Sequence, residues 1–565
     1  MNKRANFPLN HSKTDELVFL PLGGSGEIGM NLNLYGFGPA KSRQWLMVDL
    51  GVTFGHDATP GIDLIMPDTD YIEDHIDNLV GLVLTHAHED HIGAVAHLWP
   101  RLRCPVYATP FTATLVRAKL IDKGIENDVP LHVVGLGARF TLGPFDIEFV
   151  TLTHSIPEPN ALAIRTSLGT IMHTGDWKID PEPLVGAKMN VERLIEIGDE
   201  GVRAIICDST NVFSAGTAGS ESEVAASLIE VIRPCKGRVA VTTFASNVAR
   251  VESIAKAAQA CDRHVVLVGR SMFRLVSAAR EAGYLADLPP FLSEDEIGYI
   301  PNDKVLMICT GSQGEPRAAL ARIVDDSHRN ITLSEGDTVI FSSRIIPGNE
   351  QTIFELQNQL SERGIHVITE RDHFVHVSGH PCRDDLISMY QWIRPELAIP
   401  VHGEARHLAE HTALALKLQV PHAITTRNGL MTRIAPGPAE VIAEVTHGRI
   451  YLDGEVLTNA DDGAVQERRK LAFAGAVFVS LVLDDKGEVR GDPQVVLHGL
   501  PAEDSFGESF EDLALDAVDS ALDKMPAKKR KDDADVAEAV RRSVRGSIRR
   551  EWGKKAQVSV VVTRI

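Results

Sequence analysis

Along the first 200 residues, short apolar runs alternate with polar turns. Runs rich in Val, Ile, Leu and Thr cover residues 45–49, 79–85, 147–153, 170–173 and 203–207, each bounded by Gly, Pro or Asp. That length and punctuation predict β-strands. From about residue 220 the rhythm changes. Helical periodicity over 222–232, 247–259 and 271–282 alternates with wholly apolar runs at 239–243, 264–268, 305–309 and 338–342. Such alternation predicts a doubly wound α/β unit. After residue 371 the chain returns to histidine-containing motifs, so the α/β unit reads as an insertion within the first domain. A polar stretch at 454–468 reads as a linker. Beyond it, strands at 476–483, 494–497 and 557–562 and helices at 508–523 and 535–552 predict a small α+β domain. The expected organisation is a first domain in two parts, 1–215 and 371–453, an inserted domain at 216–370, a linker at 454–468, and a C-terminal domain at 469–565.

Composition narrows the class. The 565 residues exceed what one hydrophobic core organises. The first 13 residues are polar and lack the apolar core of a secretory signal, and no apolar run approaches membrane-spanning length. The six cysteines (Cys104, Cys207, Cys235, Cys261, Cys309, Cys382) are scattered without a close pair, which suits reduced thiols in a cytoplasm. A formal net charge of -20 argues against a broad basic surface for nucleic acid. It leaves room for a narrow basic cleft, or for metal ions that the formal count omits. Residues 501–523 carry acids and no Lys or Arg, whereas 524–555 are mostly basic; this reads as a solvated helix face and linker before it reads as an RNA contact.

The sharpest chemical signal is Thr85-His86-Ala87-His88-Glu89-Asp90-His91, directly after a predicted strand. In an extended turn His86 and His88 project to one side and can hold one metal. Asp90 and His91, entering the next helix, can hold a second. Imidazole and carboxylate are ligands that zinc prefers and manganese accepts. Further ligands stand at the ends of other strands: His154, Asp176 in His-Thr-Gly-Asp-Trp, and His402 in Pro-Val-His-Gly-Glu. Asp176 is the natural bridging ligand, because a carboxylate can serve two ions. Asp49 and Asp208 also cap apolar strands and are expected to receive the second N–H of a ligating imidazole, which fixes its tautomer. Gly24, Gly26 and Gly29 have the spacing of a dinucleotide fingerprint, but no β-α-β unit with an acidic residue about 20 positions on follows, so a turn is the better reading.

These motifs resemble the metallo-β-lactamase signature, His-x-His-x-Asp-His with later His, Asp and His. Asp208, His376 in His-Val-Ser-Gly-His, and His402 resemble motifs A, B and C of the β-CASP nucleases. Gly24–Asn31 (Gly-Ser-Gly-Glu-Ile-Gly-Met-Asn), residues 85–93, 310–316 (Thr-Gly-Ser-Gln-Gly-Glu-Pro) and 342–350 (Ser-Ser-Arg-Ile-Ile-Pro-Gly-Asn-Glu) are similar to the bacterial ribonuclease J family. The likeness runs to about residue 453; beyond it only size and element order match. Pro381 departs from the Ala common after His-Val-Ser-Gly-His.

The resemblance implies a metallo-β-lactamase αββα sandwich with an inserted β-CASP α/β domain and a small C-terminal α+β domain. It implies two divalent ions per subunit, zinc with manganese or magnesium as alternatives. One would sit on His86, His88, His154 and Asp176, the other on Asp90, His91, Asp176 and His402. Asp90, Asp176 and His376 would be catalytic, with His376 contacting the scissile phosphate and protonating the leaving oxygen. His376, Ser378, Gly379 and His380 would bind substrate phosphate, the last three as a 5′-monophosphate pocket. The implied activity is 5′-to-3′ exonucleolysis of single-stranded RNA with endonuclease action as a further mode, in RNA decay and rRNA maturation. The implied assembly is a cytoplasmic homodimer or homotetramer, with RNA-decay partners and no membrane association. An endonuclease, a DNA nuclease, a non-catalytic RNA-processing scaffold and a hydrolase of small thioesters or lactones are the rival readings. The complete ligand set speaks against the scaffold, and the inserted domain speaks against a small substrate.

Overall fold

The computed structural model describes residues 14–346 and 348–565. The chain forms two compact units, one from the chain up to Thr53 with Met66–Arg449, the other from Phe54–Ile65 with Ile450–Ile565.

In the first unit two mixed sheets pack face to face. In the eight-stranded sheet, Glu16–Gly23, Leu32–Gly38 and Gln44–Val48 run antiparallel, and Leu79–Val83 and Val106–Ala108 continue it in parallel. In the seven-stranded sheet, Phe145–Thr151, Asn160–Thr166 and Gly169–His173 are antiparallel neighbours, followed in parallel by Ala204–Asp208 and Leu397–Val401. Alternate side chains of both sheets meet in one core, with Phe19, Tyr35, Val48 and Val83 against Phe149, Ile171, Ile206 and Ile399. Each such aliphatic or Phe side chain contributes about 1.5–3 kcal/mol by leaving water. The outer face of the second sheet is closed by Val191–Glu200, Arg383–Ile393 and Ala405–Lys417, through Leu194, Ile197, Leu386, Met389 and Leu414. This is the expected αββα sandwich.

The parallel strands decide where chemistry can gather. Val48 pairs with Val83, His173 with Ile206, and Asp208 with Val401. The segments that follow these strands, carrying Asp49, His86–His91, Asp176, Asp208 and His402, therefore leave the sandwich from corresponding strand ends.

Between Ala204–Asp208 and Leu397–Val401 the chain builds a separate sheet of five parallel strands. Its order is His264–Val268, Val305–Cys309, Val239–Thr242, Thr338–Phe341, His366–Ile368. Helices Glu221–Ile232, Val248–Ala260 and Arg270–Glu281 fall within a residue or so of the predicted spans. The first starts at a capping box in which Ser220 and Glu223 satisfy each other's backbone N–H groups.

In the second unit Ala476–Leu483 lies between antiparallel Gln494–His498 and parallel Gln557–Arg564. Helices Phe510–Asp523 and Asp533–Trp552 cover one face of this sheet, through Phe510, Val518, Val540 and Val544 packed on Val477, Val479 and Leu481. The stretch 454–468 is not the simple linker expected. It holds the strand Val456–Asn459 and the first turns of helix Ala464–Ala474. Arg468 ties that helix down, pairing with Asp453 and donating to the Pro60 carbonyl at 3.4 Å. Residues 54–65, expected in the first domain, join this unit; the Asp63 amide donates to the Leu452 carbonyl at 3.0 Å.

Candidate functional site

Asp49 organises the histidine loop. It follows its strand with a left-handed backbone (φ 62°), which turns its carboxylate back towards the loop. That carboxylate accepts from the Thr85 amide at 2.8 Å, the Thr85 hydroxyl at 2.9 Å and His91 Nδ1 at 2.7 Å. His91 is thereby fixed with Nε2 free for a ligand. Gly51 lets the loop come this close, since a Cβ there would stand 1.7 Å from the Asp90 carbonyl oxygen.

Three imidazoles converge beside it. His86 Nε2 lies 3.2 Å from His88 Nδ1, and His154 Nε2 lies 3.0 Å from the same atom. Burial pushes His86 and His154 well below the ordinary imidazole range and His88 down to about 4. Neutral imidazoles that point ring nitrogens at one another are a donor set for a cation. His154 donates its one ring proton, at Nδ1, to the Gly379 carbonyl, which leaves Nε2 as an acceptor. A Cβ at Gly379 would stand 2.7 Å from His154 Cε1, so the close approach requires glycine.

One oxygen of Asp176 is central. Its Oδ2 is 3.2 Å from His91 Nε2, 3.6 Å from His402 Nε2 and 3.9 Å from His86 Nε2. Burial alone would raise this carboxyl, but His402, His91 and His380 outweigh it and hold it well below the usual range. Burial likewise opposes a charged His91, and Asp176, Asp90 and Asp49 overcome it, raising His91 well above its ordinary value. Ligand atoms of His86, His88, His154 and Asp176 lie within 4.8 Å of one another, as do those of Asp90, His91, Asp176 and His402. These are the two groups the resemblance implies, sharing Asp176. The donor set and its convergence fit divalent metal.

His402 has a left-handed backbone (φ 51°) and its amide donates to the Gly24 carbonyl at 2.6 Å. Ser25–Gly26 pairs with Gly403–Glu404, so the glycine motif is a turn docked on the His402 segment. It delivers a residue that sequence reasoning gave no role. Asn31 is buried, its Oδ1 accepts from His402 Nδ1 at 3.0 Å, and its Nδ2 donates to the Asp90 carbonyl at 3.1 Å and lies 3.2 Å from His91 Nε2. Asn31 thus sets the His402 tautomer that leaves Nε2 free.

The His-Val-Ser-Gly-His loop differs from expectation at its two histidines. His380, not His376, faces the ligand groups. Its Nδ1 is 2.8 Å from Asp208 Oδ2 and 3.8 Å from Asp176 Oδ2. It also forms a further close group with Asp176, Asp208 and His402, from which His376 is absent. Burial opposes its protonation, but Asp208 and Asp176 pull it up to about 9. Asp208 thus partners His380 where the expectation was a ligating imidazole. His376 points the other way, its Nδ1 3.3 Å from Arg250 Nη1. Burial, followed by Arg250, Arg344 and Lys178, keeps it well below its ordinary value. Of those three cations, Arg250 is paired with Glu221 and Lys178 with Asp180, while Arg344 is exposed. Ser378 Oγ accepts from Asn211 Nδ2 at 2.6 Å and from the His380 amide at 3.1 Å, so its own proton is left to donate elsewhere.

Comparisons with known proteins match this architecture segment by segment. Family models match at residues 57–195 (beta-lactamase superfamily domain), 236–360 (ribonuclease J, beta-CASP domain), 364–424 (Zn-dependent metallo-hydrolase RNA specificity domain) and 463–565 (ribonuclease J C-terminal domain). The ribonuclease J of Sinorhizobium meliloti is 52% identical over 563 residues, covering 100% of each chain. That of Mycolicibacterium smegmatis is 40% identical over 93% of each chain, and that of Corynebacterium glutamicum is 36% identical over 96% of this chain and 75% of its own.

Proposed function

This chain belongs to the ribonuclease J family of metal-dependent ribonucleases, and we propose that it degrades single-stranded RNA from 5′-monophosphate ends, 5′ to 3′, with endonucleolytic cleavage as a secondary mode. The observation that carries the reading is the pair of ligand groups meeting at Asp176 beside the Asp208–His380 pair. The first group is His86, His88, His154 and Asp176, the second Asp90, His91, Asp176 and His402, with zinc the preferred ion for these donors. Two such ions would activate the attacking water and neutralise the charge that grows on the phosphate.

The chain's own residues do the rest. Asp176 and Asp90 would hold the ions that face the reacting phosphate. His380 is the general acid, a role that passes to it from His376. Asp208 holds its Nδ1–H, which leaves Nε2–H to protonate the departing 3′-oxygen as the P–O bond breaks. The Ser378 hydroxyl and the His376 Nε2–H donate to phosphate oxygens of the 5′-terminal nucleotide, and the Gly379 carbonyl keeps His154 in place. We assign the enzyme to RNA decay and rRNA maturation in the cytoplasm, where the six unpaired cysteines are at home. Among the described residues no helix is long and apolar enough to cross a membrane. A homodimer, or a homotetramer built from it, fits the second unit. The sheet face opposite its helices exposes Phe478, Val496 and Val561.

The test is cleavage of one RNA prepared with a 5′-monophosphate or a 5′-triphosphate. Mononucleotides should appear from the monophosphate form, and His86→Ala should abolish them. Internal fragments produced equally from both RNAs would replace exonucleolysis with endonucleolysis.

A further inference from the structure

Arg250 sits on helix Val248–Ala260 of the inserted segment and is fully buried. A charge in that position needs a partner, and Glu221 supplies it, accepting from Nε at 3.0 Å and from Nη2 at 2.9 Å. The remaining hydrogens do not stay within one element. Nη1 donates to the Ser342 carbonyl at 2.7 Å and to its hydroxyl at 2.8 Å, and that hydroxyl donates to the Val375 carbonyl at 2.6 Å. Nη1 also lies 3.3 Å from the Val375 carbonyl, and Nη2 lies 3.4 Å from the Val377 carbonyl. The guanidinium therefore grips the backbone on both sides of His376 and faces the ring's Nδ1 at 3.3 Å.

A guanidinium has donors and no acceptor. An Nδ1–H directed at Nη1 would set hydrogen against hydrogen next to a fixed positive charge. The Ser342 carbonyl, already taken by Arg250 Nη1 at 2.7 Å, is a backbone acceptor beside the ring, and the other ring nitrogen, Nε2, has no partner at hydrogen-bonding geometry among the described residues. We infer that Arg250 is a positioning residue: it fixes His376 as the neutral tautomer protonated at Nε2, and so presents Nε2–H as a fixed donor to a phosphate oxygen of the RNA. This rests on the proposed contact between His376 and the substrate phosphate. It explains how two histidines four positions apart take different tasks: His380, paired with Asp208, gives up a proton, while His376, backed by Arg250, keeps its own. It also gives the inserted segment a role in the site, because Arg250, Glu221 and Ser342 all belong to it.

The primary test is 15N NMR of histidine-labelled, metal-loaded protein, with the His376 signals assigned by their loss in His376→Asn. A protonated Nε2 with a bare Nδ1 is expected. A protonated Nδ1, donating to the Ser342 carbonyl, would overturn the inference, as would an imidazolium. The second test is the size-matched double variant Arg250→Gln/Glu221→Gln, which removes both buried charges together. Its KM for 5′-monophosphorylated RNA should rise about tenfold, the weight of one hydrogen bond to a charged group. Its kcat should stay within about twofold and its metal content should not change. An unchanged KM, or a fall in kcat alone, would reject positioning. Failure of the wild type to cleave RNA would instead overturn the proposed function and leave the tautomer result standing.

Discussion

Asn31 shows most directly what a single side chain does here. By accepting from His402 Nδ1 it leaves Nε2 as the only nitrogen that can bind an ion, and it touches no member of the His86, His88, His154 group. Asn31→Leu should therefore weaken one ion by about 10–100-fold and spare the other. Metal content measured after dialysis should fall from two equivalents to one; equal loss of both would refute the assignment. His380 offers a second test through pH. In metal-free protein its folded pKa is raised to about 9 against an ordinary 6.5. Its contribution to stability is thus fully present below about 6.5 and is lost as pH rises through about 9. His91 acts in the same direction, whereas His86, His88 and His154, held neutral, destabilise the metal-free fold on acidification. Thermal melts of the metal-free protein should show the alkaline loss, and Asp208→Asn should shrink it; an identical profile would remove Asp208 as the partner.

Elements explain which parts of this site were legible in the sequence. The His86–His91 cluster was readable because its spacing is local and follows one strand. His154, Asp176 and His402 were readable as strand-end residues, and the sheets do bring those ends together. Asn31 was not, because its partner lies 371 positions away, and neither was Arg250, 126 positions from His376. The choice between His376 and His380 turns on which way a five-residue loop faces, which no periodicity encodes. Helix Ala464–Ala474 is not legible in the sequence because only Val465 and Ala474 are buried, so it carries no apolar stripe. The same loop gives a prediction of its own. Gly379→Ala would drive a methyl against His154 and should weaken the first ion about tenfold or more with the fold retained. Calorimetric metal titration checks it, and unaltered binding would show that the loop yields freely. At the element junction, Glu221→Ala leaves Arg250 as an unpaired buried charge and should cost about 3–5 kcal/mol in urea unfolding.

At the scale of the whole molecule, an acidic chain of net charge -20 handles a polyanion by local means. Arg344 stands exposed near His376, and ions held by the ligand groups would add positive charge that the sequence does not carry. RNA affinity should therefore fall with salt less steeply than for a protein with an extended basic surface. The second unit is where we place the proposed self-association, because Phe478, Val496 and Val561 stand exposed on a sheet face there. Phe478→Asp/Val561→Asp should lower the mass measured by light scattering to that of one chain, and an unchanged mass would place the interface elsewhere.

The most direct test of the central claim is a metal titration of chelator-stripped protein with RNA cleavage followed at each step. If two ions meeting at Asp176 perform the chemistry, cleavage should stay near zero through the first equivalent and rise with the second. Full activity at or below one equivalent, or cleavage that persists in stripped protein, would contradict it.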